Sequence, residues 1–259
     1  MSPNVRFVVL GKLIKNAPTR EIMTKSNQLV VITGGSKGIG RSTIERFAKE
    51  GYDCVTCSRK QDELEQMKSE VEDQFGTSVH IQKADLSSKE ETLSFIDFVK
   101  SLNQEVVLLV NNTGMFVPAP IHEEEEGLLE QMINTNLYSA YHMCRAFIPE
   151  MKERKSGTIV NVCSIASIKA YPTGGSYSIS KFALYGLTKG LREEMKDHGV
   201  RVVAILPGAT QTSSWNGVEV EPGRLMKASD IAELIWASFS LSELSVVEDI
   251  VVRPQLGDI

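Results

Sequence analysis

A tyrosine and a lysine, Tyr177 and Lys181, stand four residues apart, and Ser164 precedes the tyrosine by thirteen residues. Side chains four apart on a helix lie on one face, one turn from each other. A phenol has an ordinary pKa of about 10, too high for ready proton exchange near neutral pH, but an adjacent ammonium favours the phenolate. The spacing therefore predicts that Tyr177 exchanges a proton with a carbonyl–alcohol pair while Ser164 holds the reacting oxygen.

The same spacing is also typical of an exposed helix, on which a lysine lies along the surface with its ammonium in water. The Tyr-x-x-x-Lys pair alone does not separate these two readings. The structural context in the rest of the chain has to decide between them.

Composition excludes several classes of protein. The chain has 259 residues, 42% hydrophobic and 24% charged, with a net charge of −5. These values fit one globular domain with a large core. The basic residues are scattered, so we expect no nucleic-acid partner. No apolar run reaches the roughly 18 residues that a membrane span needs, so we expect no membrane partner either.

The four cysteines predict a reducing compartment and no metal site. Cys54 and Cys57 have the spacing of a redox or metal pair. They fall within an apolar strand, however, where residues three apart point to opposite faces. Cys144 and Cys163 do not supply the second pair of a zinc site. We interpret all four as core residues of a cytoplasmic protein.

Residues 1–27 differ from the rest of the chain. They carry Arg6, Lys12, Lys15 and Arg20, with no acid before Glu21. This pattern partly resembles a mitochondrial targeting sequence, although it is poor in serine. We expect a loosely attached, poorly ordered extension, with Met23 as an alternative start. Residues 28–259 are predicted to form a single domain.

From Leu29 onward, short apolar runs alternate with amphipathic helical patterns. The predicted strands are Leu29–Thr33, Cys54–Ser58, Val79–Gln82, Val106–Val110, Thr158–Cys163, Arg201–Leu206 and Ile250–Val252. The predicted helices are Ile39–Glu50, Gln61–Phe75, Lys89–Ser101, Glu124–Arg154, Gly175–His198 and Ser229–Leu241. Continuous apolar strands that alternate with helices indicate an α/β fold, a doubly wound (Rossmann-type) parallel sheet of about seven strands with helices on both faces. The acidic run His122–Glu126 is interpreted as a solvated helix start rather than a metal site.

A glycine-rich turn, Thr33–Gly40, joins the first strand to the first helix. Glycines at 34, 38 and 40 allow the backbone to approach a pyrophosphate at the helix N-terminus. Two alternatives remain: a P-loop, which would need a lysine where Arg41 stands, and a turn without a ligand.

With these motifs in order, the chain from about Leu29 to its C-terminus resembles the short-chain dehydrogenase/reductase family. In Asn111-Asn112-Thr113-Gly114, Thr113 replaces the alanine of the family's Asn-Asn-Ala-Gly. The cofactor-binding positions that the resemblance implies are Gly34, Ser36, Lys37, Gly38, Ile39, Gly40, Ser58, Arg59, Asp85, Leu86, Asn111, Asn112, Gly114, Tyr177, Lys181, Pro207 and Gly208. The catalytic positions that it implies are Asn136, Ser164, Tyr177 and Lys181.

The resemblance also implies a role for each catalytic residue. Tyr177 exchanges the proton, and Ser164 orients the substrate oxygen. Lys181 lowers the pKa of Tyr177 and binds the nicotinamide ribose, and Asn136 holds a water that links Lys181 to solvent. The hydride itself comes from the nicotinamide.

The end of the second strand indicates NADP(H) rather than NAD(H). NAD-binding sites place an acid there for the ribose 2′-OH, whereas this chain has Ser58 followed by Arg59. Arg59 can bind a 2′-phosphate in bidentate fashion, and Lys37 in the glycine turn adds a second positive charge.

The substrate is expected to be a small-molecule carbonyl or alcohol. The resemblance implies that the segments after Gly114, Ser164 and Pro207 line the substrate site. Because the cytosolic NADP pool is usually kept reduced, we expect the chain to act as a reductase of ketones or 3-oxoacyl compounds. The alternatives are an NADP-binding sensor or scaffold without chemistry, or a P-loop phosphotransferase. Family members pair through their two long helices, so we expect a homodimer or homotetramer. The apolar residues that support this pairing are Leu137, Tyr141, Phe147, Phe182, Leu184 and Leu187.

Overall fold

The computed structural model describes residue 25 and residues 27–215 and 217–258, with Ser214 described without its side chain. The N-terminal extension was predicted over residues 1–27, of which residues 1–24 and 26 lie outside the described part of the chain. None of the described helices is long and apolar enough to cross a membrane.

The described part of the chain contains seven strands and seven α-helices, and each pair of consecutive strands is joined by one helix or, between β4 and β5, by two. The strands are β1 Gln28–Thr33, β2 Asp53–Ser58, β3 Val79–Lys83, β4 Glu105–Asn111, β5 Gly157–Val162, β6 Val200–Pro207 and β7 Asp249–Val252. The helices are α1 Gly38–Ala48, α2 Gln61–Phe75, α3 Lys89–Ser101, α4 Leu128–Ile133, α5 Ser139–Arg154, α6 Gly175–Met195 and α7 Ala228–Phe239.

The strands form one parallel sheet in the order β3-β2-β1-β4-β5-β6-β7. This confirms the doubly wound fold expected from the sequence. The strand order reverses between β1 and β4, where ligands of such sheets bind outside the carboxyl ends of the strands.

Both faces of the sheet are covered, which explains why the strands are apolar throughout. In β1, Leu29 and Val31 pack into one core cluster, whereas Val30 and Ile32 pack into the cluster on the other face. Helices α3 and α5 supply residues to the first cluster, and α1, α2 and α7 supply residues to the second. Alternation with period two thus buries every side chain of a central strand.

The cysteines lie where the strand pattern predicts. Cys54 and Cys57 are buried on opposite faces of β2, in different core clusters. All four cysteines are free and buried. Burial raises the pKa of Cys57 and Cys144 to about 12, so these thiols are inert at neutral pH.

The prediction of one continuous helix over Glu124–Arg154 is wrong. Helix α4 begins only at Leu128, after Gly127 with a φ of +86°. A π-helical turn over Asn134–Tyr138 then separates α4 from α5. A π-turn inserts an extra residue into the helical ladder and is frequent at functional sites.

The acidic run does not start its own helix either. The Glu124 carboxylate instead accepts hydrogen bonds from Ser176, from its backbone N–H at 2.6 Å and from its hydroxyl group. Glu124 therefore satisfies the N-terminus of α6, whose positive end favours a carboxylate.

Candidate active site

The predicted site residues meet at the carboxyl edge of the central strands. The glycine turn follows β1, Asn112 follows β4, Ser164 follows β5 and Pro207 ends β6. Helix α6 carries Tyr177 and Lys181 in its first two turns. Residues from five elements thus converge at the switch point of the sheet.

The glycine turn has a backbone that only glycine adopts easily. Gly34 and Gly38 have φ values of +70° and +58°. A Cβ atom at Gly40 would lie 2.3 Å from the Gly34 carbonyl oxygen, so the turn packs directly on helix α1. Within the described residues no side chain caps α1. The first-turn N–H groups are therefore available to an anionic ligand.

Asn112 joins this turn to the end of β4. Its side-chain amide donates to the carbonyl oxygens of Thr33 and Gly34, at 2.9 and 3.1 Å. The Thr33 hydroxyl oxygen in turn accepts from the backbone N–H groups of Asn112 and Thr113, both at 3.0 Å. These bonds fix the two strand ends that flank the switch point.

The neighbouring Asn111, also predicted to bind cofactor, has its side chain in the core instead. Its amide donates to Asn161 Oδ1 at 2.8 Å and to Cys144 Sγ at 3.3 Å. Because Asn111 is still part of β4, its side chain follows the strand alternation and turns away from the cleft. Of the two asparagines, only the side chain of Asn112 lies at the glycine turn.

Lys181 is buried, and its ammonium donates to the Val162 carbonyl oxygen at 2.9 Å. It lies 5.9 Å from the centre of the Tyr177 ring. Burial lowers the pKa of Lys181 to about 8. The lysine can therefore change its protonation state close to physiological pH.

The pKa of Tyr177 moves in the direction opposite to the expected one. Burial of the phenol raises its pKa, and a hydrogen bond with the Ser164 side chain opposes this shift. Lys181 was expected to lower the pKa of Tyr177, but this effect does not outweigh the rise caused by burial. The reason is that Lys181 is itself desolvated, which lowers its own pKa. Ser164 is thus the residue that interacts directly with the phenol.

Asn136 lies in the π-turn with its side chain fully enclosed. Its Oδ1 accepts from the Met115 N–H at 2.7 Å, and its Nδ2 donates to the Met115 carbonyl at 3.1 Å and to Ser180 Oγ at 2.8 Å. Ser180 then donates to the Tyr177 carbonyl oxygen at 2.8 Å. Asn136 therefore connects the segment after β4 to the turn of α6 that carries Tyr177.

An aromatic wall adjoins the phenol. The Phe116 ring meets the Tyr177 ring edge to face, with centroids 4.7 Å apart. Tyr171 is half-buried near the same group, and burial together with the nearby Tyr177 raises its pKa. These rings give the substrate side of the cleft an apolar surface.

The loop after β6 approaches the glycine turn at Gly38. The Gly208 N–H donates to the Val252 carbonyl at 2.8 Å. Further along the loop, Thr212 lies so close to Gly38 that a Cβ there would be 3.2 Å from its methyl group. Thr212 did not stand out in the sequence, since only the folded loop brings it to the turn.

The predicted cofactor-binding positions Ser58, Arg59, Asp85 and Leu86 lie at or just after the ends of β2 and β3. Leu86 is buried, and Asp85 Oδ1 accepts from the Ser87 N–H at 3.0 Å. The Ser58 hydroxyl caps the turn before α2 by accepting from the Lys60 N–H at 3.4 Å. Arg59 is exposed beside it.

A family model described as short chain dehydrogenase matches residues 28–221. The chain belongs to this family. An uncharacterized oxidoreductase of Bacillus subtilis is 36% identical over 185 residues, covering 71% of this chain and 69% of that protein. The 3beta-hydroxysteroid dehydrogenase 2 of Eggerthella lenta is 32% identical over 195 residues, covering 74% of this chain and 75% of that protein.

The fold of this short-chain dehydrogenase is similar to that of a solved alcohol dehydrogenase from the archaeon Thermococcus sibiricus, which was crystallised with 5-hydroxy-NADP. The two chains share 27% identity and superpose with a TM-score of 0.82, over 88% of this chain and 97% of the archaeal one. The family resemblance drawn from the sequence is thereby confirmed.

Proposed function

We propose that this short-chain dehydrogenase transfers a hydride between NADP(H) and a carbonyl or alcohol substrate, working as a reductase of ketones or 3-oxoacyl compounds. The observation that carries the proposal is that Ser164 and the Tyr177 phenol meet at the carboxyl edge of the sheet, where Lys181 ties helix α6 to the end of β5. Beside them stand a buried lysine and an uncapped helix start.

The residues present fit a dinucleotide. Because Gly40 has no Cβ, the glycine turn packs closely on the start of α1, and the N-terminus of α1 offers N–H donors to a pyrophosphate. Lys37 and Arg59 place positive charge near the end of β2, and no acid occupies the position after that strand. The archaeal relative crystallised with 5-hydroxy-NADP supports the same cofactor class.

The cofactor supplies the hydride, and the protein supplies the proton and the position of the substrate. The Tyr177 phenol, whose pKa is raised by burial, is held protonated and can donate to a carbonyl oxygen. Ser164 offers a second hydrogen bond to that oxygen, which stabilises the negative charge as it develops. Lys181 and Asn136 hold the helix and the adjoining loop in register with both groups.

Phe116 and Tyr171 favour a substrate with an apolar body. Neither ring carries a charge at neutral pH, so the wall that they form does not recognise a carboxylate or phosphate. The 3beta-hydroxysteroid dehydrogenase among the relatives supports a large apolar alcohol or ketone as one substrate class.

The experiment is a panel of carbonyl compounds with NADPH, comprising a small diketone, a cyclic ketone, a steroid ketone and a 3-oxoacyl thioester. Loss of reduced nicotinamide is followed for the wild type and for Tyr177→Phe. We expect turnover with at least one ketone and a loss of about 10²–10⁴-fold in the variant, with NADPH affinity unchanged. NADPH binding without turnover of any compound would favour a cofactor sensor instead.

We further propose that the chain works in the cytoplasm and forms a homodimer or homotetramer through α5 and α6. The free, buried thiols fit a reducing compartment. Phe147 and Leu184, two of the residues from which pairing was argued, prove to be core residues. Tyr141 and Phe182 remain exposed, and two further apolar residues, Tyr138 and Ile179, join them.

A further inference from the structure

A carboxylate occupies the basic region in which the 2′-phosphate of NADP(H) is proposed to bind. Glu63, in the first turn of α2, accepts from the Ser36 hydroxyl at 3.2 Å through Oε2. The same oxygen lies 3.6 Å from the Lys37 ammonium. The other oxygen, Oε1, accepts from Lys60 at 2.8 Å.

The Glu63 carboxylate is thus contacted by one hydroxyl and two ammonium groups, all of which could also bind a phosphate. Its side chain is only 28% exposed, whereas that of Lys60 is 64% exposed. The contacts with Lys60, Lys37 and Ser36 lower the pKa of Glu63, so it is ionised at neutral pH. Two of its partners, Ser36 and Lys37, are residues through which the cofactor is proposed to be recognised.

A phosphate and this carboxylate cannot share Ser36 and Lys37 without strong repulsion. Two anions at about 4 Å repel each other even at a high effective dielectric. Moreover, Glu63 stands on the first turn of α2, five residues after Ser58 at the end of β2, where the adenosine ribose of a doubly wound fold lies. A carboxylate at this place can also accept a hydrogen bond from a free ribose 2′-OH.

We propose that Glu63 is a specificity-determining residue that competes with the 2′-phosphate for Ser36 and Lys37. The 2′-phosphate binds only when Glu63 leaves these two groups, while Lys60 can keep hold of its other oxygen. The carboxylate therefore limits the preference for NADP(H) and preserves binding of NAD(H). This inference rests on the proposed cofactor site and adds a residue that the sequence motifs did not include.

The test measures binding of two cofactor fragments by calorimetry, independently of turnover. Adenosine 2′,5′-bisphosphate carries the 2′-phosphate, and adenosine 5′-monophosphate lacks it. The proteins are the wild type, Glu63→Gln and the matched control Glu65→Gln. Glu65 is an exposed acid on the same helix, bonded to Gln61, so its loss changes net charge equally without freeing Ser36 or Lys37.

We expect Glu63→Gln to tighten the bisphosphate by about tenfold, equivalent to about 1.4 kcal/mol. The monophosphate should bind equally well or more weakly, and Glu65→Gln should leave the ratio of the two affinities unchanged. Glu63→Asp, which keeps the charge but shortens its reach, should give an intermediate ratio and guards against misfolding of the glutamine variant. An unchanged or reduced preference for the bisphosphate in Glu63→Gln would overturn the proposal.

The same titrations separate this inference from the proposed cofactor. Wild-type protein that prefers the monophosphate would contradict NADP(H) as the favoured cofactor. If Glu63→Gln nevertheless shifts the ratio toward the bisphosphate, the role of Glu63 stands on its own.

Discussion

The Lys181 ammonium lies 2.9 Å from the Val162 carbonyl oxygen and donates a hydrogen bond to it. Val162 is the last residue of β5, and Ser164 lies two residues further along the chain. The bond therefore fixes helix α6 against the strand that delivers the serine. Through this bond, Lys181 helps to position Tyr177 relative to Ser164. This role is separate from the binding of the nicotinamide ribose that the family resemblance implies.

Replacing Lys181 by methionine should change how stability depends on pH. The lysine has a pKa of about 8 in the folded protein, below its ordinary value of 10.5. Between these two pH values the unfolded chain binds more protons, so this group makes the protein more stable as pH rises. The free-energy cost of burying the charged lysine is therefore largest below pH 8 and disappears as the pH approaches 10.5.

Cofactor-free Lys181→Met should accordingly gain about 1–3 kcal/mol in the free energy of unfolding at pH 7, reduced by about 1 kcal/mol for the lost hydrogen bond to Val162. The gain should shrink steadily through the window. Urea unfolding of the wild type and the variant between pH 8 and 10.5 measures this gain. Groups that titrate equally in both proteins cancel in the difference between their free energies of unfolding. A difference that stays constant with pH would show that Lys181 is not desolvated.

Asn136→Ala should reduce turnover more than Ser180→Ala. Alanine at position 136 removes three hydrogen bonds. The N–H and the carbonyl oxygen of Met115 each lose their bond to Asn136, and Ser180 loses the third. Each polar group left buried and unpaired costs about 1–3 kcal/mol. Ser180→Ala removes only the contact between Asn136 and the Tyr177 carbonyl.

We expect Asn136→Ala to lower kcat by about 10–100-fold, and Ser180→Ala by less than about tenfold. Steady-state kinetics should place most of the loss in kcat rather than KM, because the loop and helix are displaced relative to each other. Equal losses in the two variants would mean that the link through Ser180 accounts for the whole role of Asn136.

Ser58→Asp combined with Arg59→Leu should shift cofactor preference from NADPH toward NADH. The new acid can accept a hydrogen bond from a ribose 2′-OH and repels a 2′-phosphate. Loss of Arg59 removes a charge-assisted contact worth about 1.5–3 kcal/mol, or roughly 10–100-fold in binding. Lys37 remains and should leave some affinity for NADPH.

The measurement for this double variant is the ratio of kcat/KM for NADPH over NADH, in comparison with the wild type. Lys49→Leu, which removes a positive charge at the far end of α1, is the control for net charge. A wild type that already prefers NADH would contradict the assignment of Ser58 and Arg59 to the 2′-phosphate.

Phe182→Glu should dissociate the proposed oligomer. Phe182 is 45% exposed on α6 and Tyr138 is 48% exposed beside α5, so a charge there would be buried on pairing. Light scattering at micromolar concentration should give a multiple of the chain mass for the wild type and the monomer mass for the variant. Leu241→Glu serves as the control because Leu241 lies after α7, with 42% of its surface exposed. A wild-type monomer would contradict the proposal.

The sequence by itself determined the parallel sheet, the order of strands and helices along the chain, and which types of residue stand at the carboxyl edge of the sheet. Helices α2 and α3 begin and end at the predicted residues. Their end signals are local: Ser88 caps α3 by accepting from the Glu91 N–H, and Gly76 after α2 adopts a φ of +70°. Continuous apolar runs likewise specify central strands, because only a sheet covered on both faces buries every residue.

Only the tertiary structure decided which partners the polar side chains have. Glu124 is bound by Ser176, fifty-two positions away, and Glu63 is bound by Ser36, twenty-seven positions away. The sequence predicted neither contact, since each depends on how two separate elements pack. The pKa of Tyr177 was also decided there, because burial depends on the whole fold and outweighs a neighbouring charge inferred from spacing.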